Sequence, residues 1–176
     1  MKVYVINGKP GVGKTTFETI AKLMTEDCEI YSTIDPIKEI ARDYDWNGEK
    51  DAKGRKLLAD LKKALNEYND FTMRALSYRI DFGRSKIIFI DSREPEEIKR
   101  ICEEFDAKSI LVRRPSVEGA PTSNSSDANV FNYNYDIVIM NDGEKRDLIE
   151  AAAEFLKAED IPIKPYYINL FGELDV

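Results

Sequence analysis

No histidine occurs in the 176 residues, and cysteine appears only at Cys28 and Cys102. The first absence excludes histidine acid–base or nucleophilic catalysis. The second, with no C-x-x-C spacing, argues against a zinc-type ligand set. Both cysteines read as small buried apolar residues of a reducing compartment. No apolar run approaches the ~20 residues that a membrane span needs. Met1-Lys2 leads straight into an apolar strand, so the sequence predicts a cytoplasmic protein with no signal peptide and no membrane association. The 26 basic residues are outnumbered by 33 acidic ones, and the net charge of −7 argues against a nucleic-acid tract as partner. The length suits one domain, 1–176, with a real core, expected as a monomer or homodimer.

Glycine is also scarce, nine in all, yet three stand within the stretch "YVINGKPGVGKTT", residues 4–16. Glycine is conformationally costly and is used where the backbone must take a shape, or allow an approach, that a side chain forbids. Gly8, four residues, then Gly13-Lys14-Thr15 fits the phosphate-binding pattern G-x-x-x-x-G-K-[ST]. In that pattern successive N–H groups form a concave nest for anionic oxygens, and the following helix adds its free N-terminal N–H groups. The context fits. Val3 to Ile6 read as a buried strand, and Phe17, Ile20, Ala21 and Met24 fall on one face of a helix. The nucleotide-binding set is therefore Gly8, Lys9, Pro10, Gly11, Val12, Gly13, Lys14, Thr15 and Thr16. Lys14 is placed to reach the terminal phosphates and the Thr15 hydroxyl to ligate magnesium.

Four further apolar runs read as strands, "EIYST" (29–33), "KIIFID" (86–91), "SILVR" (109–113) and "YDIVIM" (135–140). Helical patterns occupy 95–105 and 144–157, which predicts an α/β three-layer sandwich on a parallel sheet. Two segments exceed that frame. Residues 51–82 are charged and helical, with a stripe of Leu58, Leu61, Leu65, Tyr68, Ala75 and Leu76 and an expected break near Asn69-Asp70. Residues 115–134 are rich in Ser, Asn and Pro and read as a lid. The strand ending at Asp91 matches the second magnesium-associated element, a carboxylate holding the metal directly or through water. Its successor is Ser92 rather than a water-activating glutamate, and no Asn-Lys-x-Asp motif exists, so hydrolysis as the main task is disfavoured.

The blocks "GKPGVGKTT", "STIDPIKEIARDYDWNGEKD", "GRKLLADLKKALNEYND", "DSREPEEI" and "TSNSSDANVFNYNYDIVIMNDG" cover most of residues 1–157. In them the sequence resembles the nucleoside and deoxynucleoside monophosphate kinase-like proteins of phages and Firmicutes, relatives of adenylate kinase. The resemblance implies a five-stranded parallel sheet in order 2-3-1-4-5, a helical acceptor-binding region at about 35–83 and a lid at about 114–134. It also implies ATP with Mg2+ as donor and a small phosphorylated acceptor as partner, here a (deoxy)nucleoside monophosphate. Carried over, it places Asp35 at the end of the second strand facing the acceptor, where Asp35-Pro36 also reads as a simple helix cap. Lys38 and Arg42, one helical turn apart, and Arg55 are the acceptor-phosphate candidates, each with a solvated helix face as its alternative. Arg93, two residues after Asp91, is a candidate for the cleft. Lids of this kind bring arginines over the transferring phosphate, but 115–134 contain no Lys or Arg. Of the hinge pair Arg113 and Arg114, successive strand residues pointing oppositely, Arg114 is expected to serve and Arg93 to be the reserve. Catalytic roles thus fall to Lys14, Arg114, Arg93 and Asp35. Two other readings stay open: a kinase of another phosphorylated metabolite, of the dephospho-coenzyme A or phosphomevalonate type, and a nucleotide-binding regulatory protein with negligible turnover.

Overall fold

The computed structural model describes residues 1–49, 51–119 and 129–167. Five strands form one sheet in the order β2-β3-β1-β4-β5, with β1 at Lys2–Asn7, β2 at Cys28–Ser32, β3 at Ile87–Asp91, β4 at Lys108–Arg113 and β5 at Ile137–Met140. β1 runs parallel to β3 and β4, and β4 runs parallel to β5. The expected sheet order is the observed one. Register brings Ile6 opposite Asp91, and β1 delivers the chain to Gly8 at that same edge of the sheet.

Alternation along each strand splits the sheet into two faces. Tyr4, Ile6, Phe89, Ile110 and Val112 pack in one cluster with α1 (Lys14–Met24) and with the helix at Lys145–Ala158. Within it the rings of Tyr4, Phe17 and Phe155 meet edge to face, with centroids 5.1 and 5.5 Å apart. Burying each such side chain contributes roughly 1.5–3 kcal/mol. α5 (Pro95–Phe105) contacts β1 and β4 and buries Ile98 and Ile101. At the β5 edge the double-sided burial expected of parallel strands is not met, since Val138 and Met140 are about half exposed.

By internal contacts the chain forms two compact units, Met1–Ile30 with Ser85–Val176, and Tyr31–Arg84. In the second, α2 (Asp35–Asp43), α3 (Ala52–Asn69) and α4 (Phe71–Phe82) pack in sequence, with Ile37, Ala41 and Leu58 fully or nearly buried. The break falls where it was expected. Asp70 adopts a left-handed conformation, φ 54°, that closes α3 and opens α4. Tyr68 departs from the predicted stripe; it is 85% exposed, because α3 ends one residue later. The segment expected as a lid holds a four-residue helix, α6 (Pro115–Glu118), where sequence alone suggested only loop. The helix at Lys145–Ala158 is α7. Of the segment expected as a lid, 120–128 lie outside the described residues, as do 168–176 of the tail. No helix among the described residues is long and apolar enough to cross a membrane.

Candidate active site

The glycine-rich loop is shaped by its own glycines and by two buried asparagines. Gly8 has φ 152°, and a Cβ there would stand 2.5 Å from the Val112 carbonyl oxygen. Gly13 has φ 98°, and its Cβ would stand 2.3 Å from Asn141 Nδ2. Neither position accepts a side chain without displacing its neighbour. Asn7, fully buried, accepts from the Gly8 N–H through Oδ1 at 2.8 Å and donates from Nδ2 to the Tyr135 hydroxyl at 2.8 Å. Asn141 donates from Nδ2 to the Val12 carbonyl at 2.7 Å, while its own N–H bonds the Arg113 carbonyl. The loop is thus pinned through residues on either side of β5, Tyr135 before it and Asn141 after it.

α1 opens at Gly13 with no side-chain cap and no acidic residue in its first turn. Its leading N–H groups are therefore left to water or to an anion, and the dipole favours the anion. Lys14 Nζ bonds the Gly8 carbonyl at 2.5 Å and the Lys9 carbonyl at 3.3 Å, so the side chain lies back over the loop. Lys9 turns away, donating to the Glu118 carbonyl at 2.7 Å and lying 5.4 Å from the Phe131 ring centre. Pro10, Gly11, Thr15 and Thr16 are exposed and Val12 is buried. Asp91 ends β3 half-buried. After it, Ser92 donates to Glu97 at 2.5 Å, and Arg93 is exposed, its carbonyl accepting from Asn7 Nδ2 at 3.4 Å.

Arg113 ends β4, while Arg114 lies outside the strand and precedes α6. Arg113 forks onto Glu118, Nη2 to Oε2 at 2.8 Å and Nε to Oε1 at 3.3 Å, and lies 5.2 Å from the Phe131 ring centre. That guanidinium holds the Glu118 carboxyl below its ordinary range. Arg114 gives its N–H to Glu118, and its Nε is buried with no hydrogen-bond partner.

Sequence reasoning missed Glu18. It sits fully buried on α1 among Phe17, Ile20, Ala21 and Met24, and neither carboxylate oxygen has a hydrogen-bond partner. Burial pushes its carboxyl up to about 8, with the Asp91 charge adding to the rise and Lys14 opposing it. The signal was there to read, one glutamate among the inward-facing positions of an amphipathic helix. Thr15, Asp91 and Glu18 carry hard oxygens of the kind magnesium takes, and the Glu18 carboxylate is buried without a hydrogen bond.

In the second unit Asp35 is not the cap of α2. Ile34 holds that position, Asp35 is the first helical residue, and its carboxylate takes the Lys38 ammonium at 2.6 Å. The turn at residues 33–34 ends one residue earlier than Asp35-Pro36 suggested, which frees the carboxylate for Lys38. Arg42 is exposed and lies 5.7 Å from the Trp46 ring centre, and Arg55 is exposed on the first turn of α3. Two other cations approach the end of β2 instead. Lys62 donates to the buried Thr33 hydroxyl at 3.1 Å, and the Arg79 guanidinium lies 4.7 Å from the Tyr31 ring centre. Lys38, Lys62 and Arg79, from three helices, thus meet one segment, 31–35. Lys62 is one turn past Leu58 and Arg79 three residues past Leu76, at the edges of buried faces; that spacing was the available signal.

By sequence, no family model and no curated protein matches the chain. Solved structures do match. TT1252 from Thermus thermophilus is 16% identical with a TM-score of 0.57, over 90% of this chain and 97% of that one. The tunicamycin resistance protein of Deinococcus radiodurans is 12% identical with a TM-score of 0.58, over 93% and 98%. A sugar kinase from Janibacter sp. HTCC2649 is 18% identical with a TM-score of 0.50, over 92% and 95%. At these identities the likeness is one of architecture, a five-stranded parallel sheet in the order 2-3-1-4-5 flanked by helices.

Proposed function

We propose that this chain is a small-molecule kinase that transfers the γ-phosphoryl group of ATP, with magnesium, to a (deoxy)nucleoside monophosphate, giving the diphosphate. One observation carries the reading. A glycine-shaped loop, pinned by Asn7 and Asn141, hands the chain to an uncapped helix N-terminus beside Lys14 and the strand-end Asp91. The loop N–H groups bind the donor phosphates, and Lys14 exchanges its carbonyl contacts for phosphate oxygens. The Thr15 hydroxyl and the Asp91 carboxylate would hold the magnesium ion, which supplies charge neutralisation at the phosphates when bound. Phosphoryl transfer asks little covalent chemistry of a protein beyond alignment and charge, so no histidine is needed. Arg114, with its uncommitted Nε, brings positive charge to the transferring group, with Arg93 in reserve. The acceptor's phosphate goes to cations of the second unit, with Lys38 beside Asp35 foremost. Arg42 and Arg55 are the weaker members, since both are exposed.

A second reading is a kinase of another small phosphorylated metabolite; a sugar kinase among the fold relatives shows that this architecture serves acceptors other than nucleotides. It uses the same donor site. ADP release measured over a panel of nucleoside monophosphates and other phosphorylated metabolites separates the two. Turnover with monophosphates alone supports the first reading, and turnover with none of the panel sinks both.

A further inference from the structure

Glu18 is the anomaly of α1. Every other buried residue of that helix is apolar, and both Glu18 oxygens lie out of solvent without a hydrogen bond. A buried carboxylate costs several kcal/mol unless a cation or proton compensates it. Its place decides which. It stands one helical turn after Lys14 and three residues after Thr15, and the charges that act on it are those of Asp91 and Lys14. The carboxylate therefore lies within a turn of Thr15 along α1 and within electrostatic reach of Asp91, the two residues proposed to hold magnesium. Among the described residues no three acidic, histidine or cysteine side chains gather to hold a metal unaided. Magnesium seldom needs such a cage; one or two carboxylates, substrate phosphates and water suffice.

We propose that Glu18 is the second carboxylate of a divalent-cation centre shared with Asp91 and Thr15 and completed by the nucleotide phosphates. This rests on the donor-site half of the proposed function and is independent of the acceptor. The phosphate loop and the cation are then coupled through α1 itself, since Lys14, Thr15 and Glu18 lie within its first turn and a half. Replacing the glutamate should leave nucleotide binding without metal intact and remove the metal's share.

The test is an equilibrium one on the full chain. Mn2+ is titrated into the ADP complex and free Mn2+ read by electron paramagnetic resonance, while ADP affinity is measured by calorimetry in EDTA. Glu18→Gln keeps shape and loses charge; Glu18→Leu, apolar like its neighbours, guards against a folding defect in the first. Both variants should hold Mn2+ at least threefold more weakly than the parent, with ADP affinity in EDTA changed by less than threefold. Mn2+ affinity within threefold of the parent in both variants overturns the proposal. If the parent binds no ADP, the phosphate-loop reading falls and this falls with it. If ADP and Mn2+ bind as described but no acceptor is phosphorylated, the kinase reading falls and this centre stands.

Discussion

Gly13→Ala is the substitution through which the loop geometry can be weighed in free energy. At φ 98° an L-residue carries a penalty of about 1–2 kcal/mol for the left-handed backbone. The added Cβ also lands 2.3 Å from Asn141 Nδ2, so the amide must move and give up its 2.7 Å bond to the Val12 carbonyl. Asn141 is only 8% exposed, and leaving its polar group unsatisfied there costs about 1–3 kcal/mol. The variant should therefore lose about 2–5 kcal/mol in urea unfolding. Asn141→Ala alone loses the hydrogen bond but makes room, so it should cost about 1–3 kcal/mol. In that background Gly13→Ala meets no clash, and only the backbone strain of about 1–2 kcal/mol remains. The two substitutions are thus sub-additive, and the coupling measures the Asn141 contact directly. ADP affinity should fall by about tenfold or more in Gly13→Ala, because the loop N–H groups shift with the backbone. A Gly13→Ala chain within 0.5 kcal/mol of the parent (the ordinary scatter of surface substitutions), or strict additivity with Asn141→Ala, refutes the geometry.

Lys14→Ala should lower kcat at least a thousandfold, about 4 kcal/mol of barrier, with an unchanged thermal melt; a folded variant keeping a tenth of the activity contradicts the loop assignment. Arg114→Ala should cost ~10³-fold or more in kcat, while Arg113→Ala, which breaks the Glu118 fork and the contact with the Phe131 ring, stays within tenfold; equal effects would dissolve the asymmetry. Neutralising Lys38, Lys62 or Arg79 should raise KM for the acceptor more than for ATP, with Arg42→Ala and Arg55→Ala near neutral; the reverse order restores the sequence-based set. In EDTA the raised Glu18 carboxyl means that the native chain keeps a proton the unfolded chain releases. Its stabilising share is whole below pH 4.5 and lost as pH rises through about 8, up to a ceiling of about 5 kcal/mol. Melting temperature over that window should fall in the parent and stay flatter in Glu18→Gln, and parallel curves would show the group ionised throughout.

What the sequence displayed was what local physics writes down. Three glycines and a lysine between an apolar strand and an amphipathic helix are a local pattern, and so is the Asn69-Asp70 break, where Asp70 takes the left-handed conformation that closes a helix. The cap at Ile34 instead of Asp35 turns on a one-residue shift of a turn, below the resolution of pattern. Asn7 and Asn141 were invisible as braces, because each acts on groups brought near only by the sheet order, 128 and 129 residues away in the chain for Tyr135 and Val12. Lys62 and Arg79 carry no local pattern that marks them off from other helix-surface charges; only their tertiary contacts with Thr33 and Tyr31 distinguish them. Glu18 was legible in principle. It was passed over because helical periodicity scores the apolar positions and does not ask what a charge is doing among them.

The central claim, that the loop serves phosphoryl transfer, is tested most directly by following the label of γ-labelled ATP in the presence of magnesium and each monophosphate in turn. The account predicts label in a nucleoside diphosphate, dependent on Lys14, with little released as inorganic phosphate. Label that stays in ATP, or appears only as inorganic phosphate whatever acceptor is present, would contradict it.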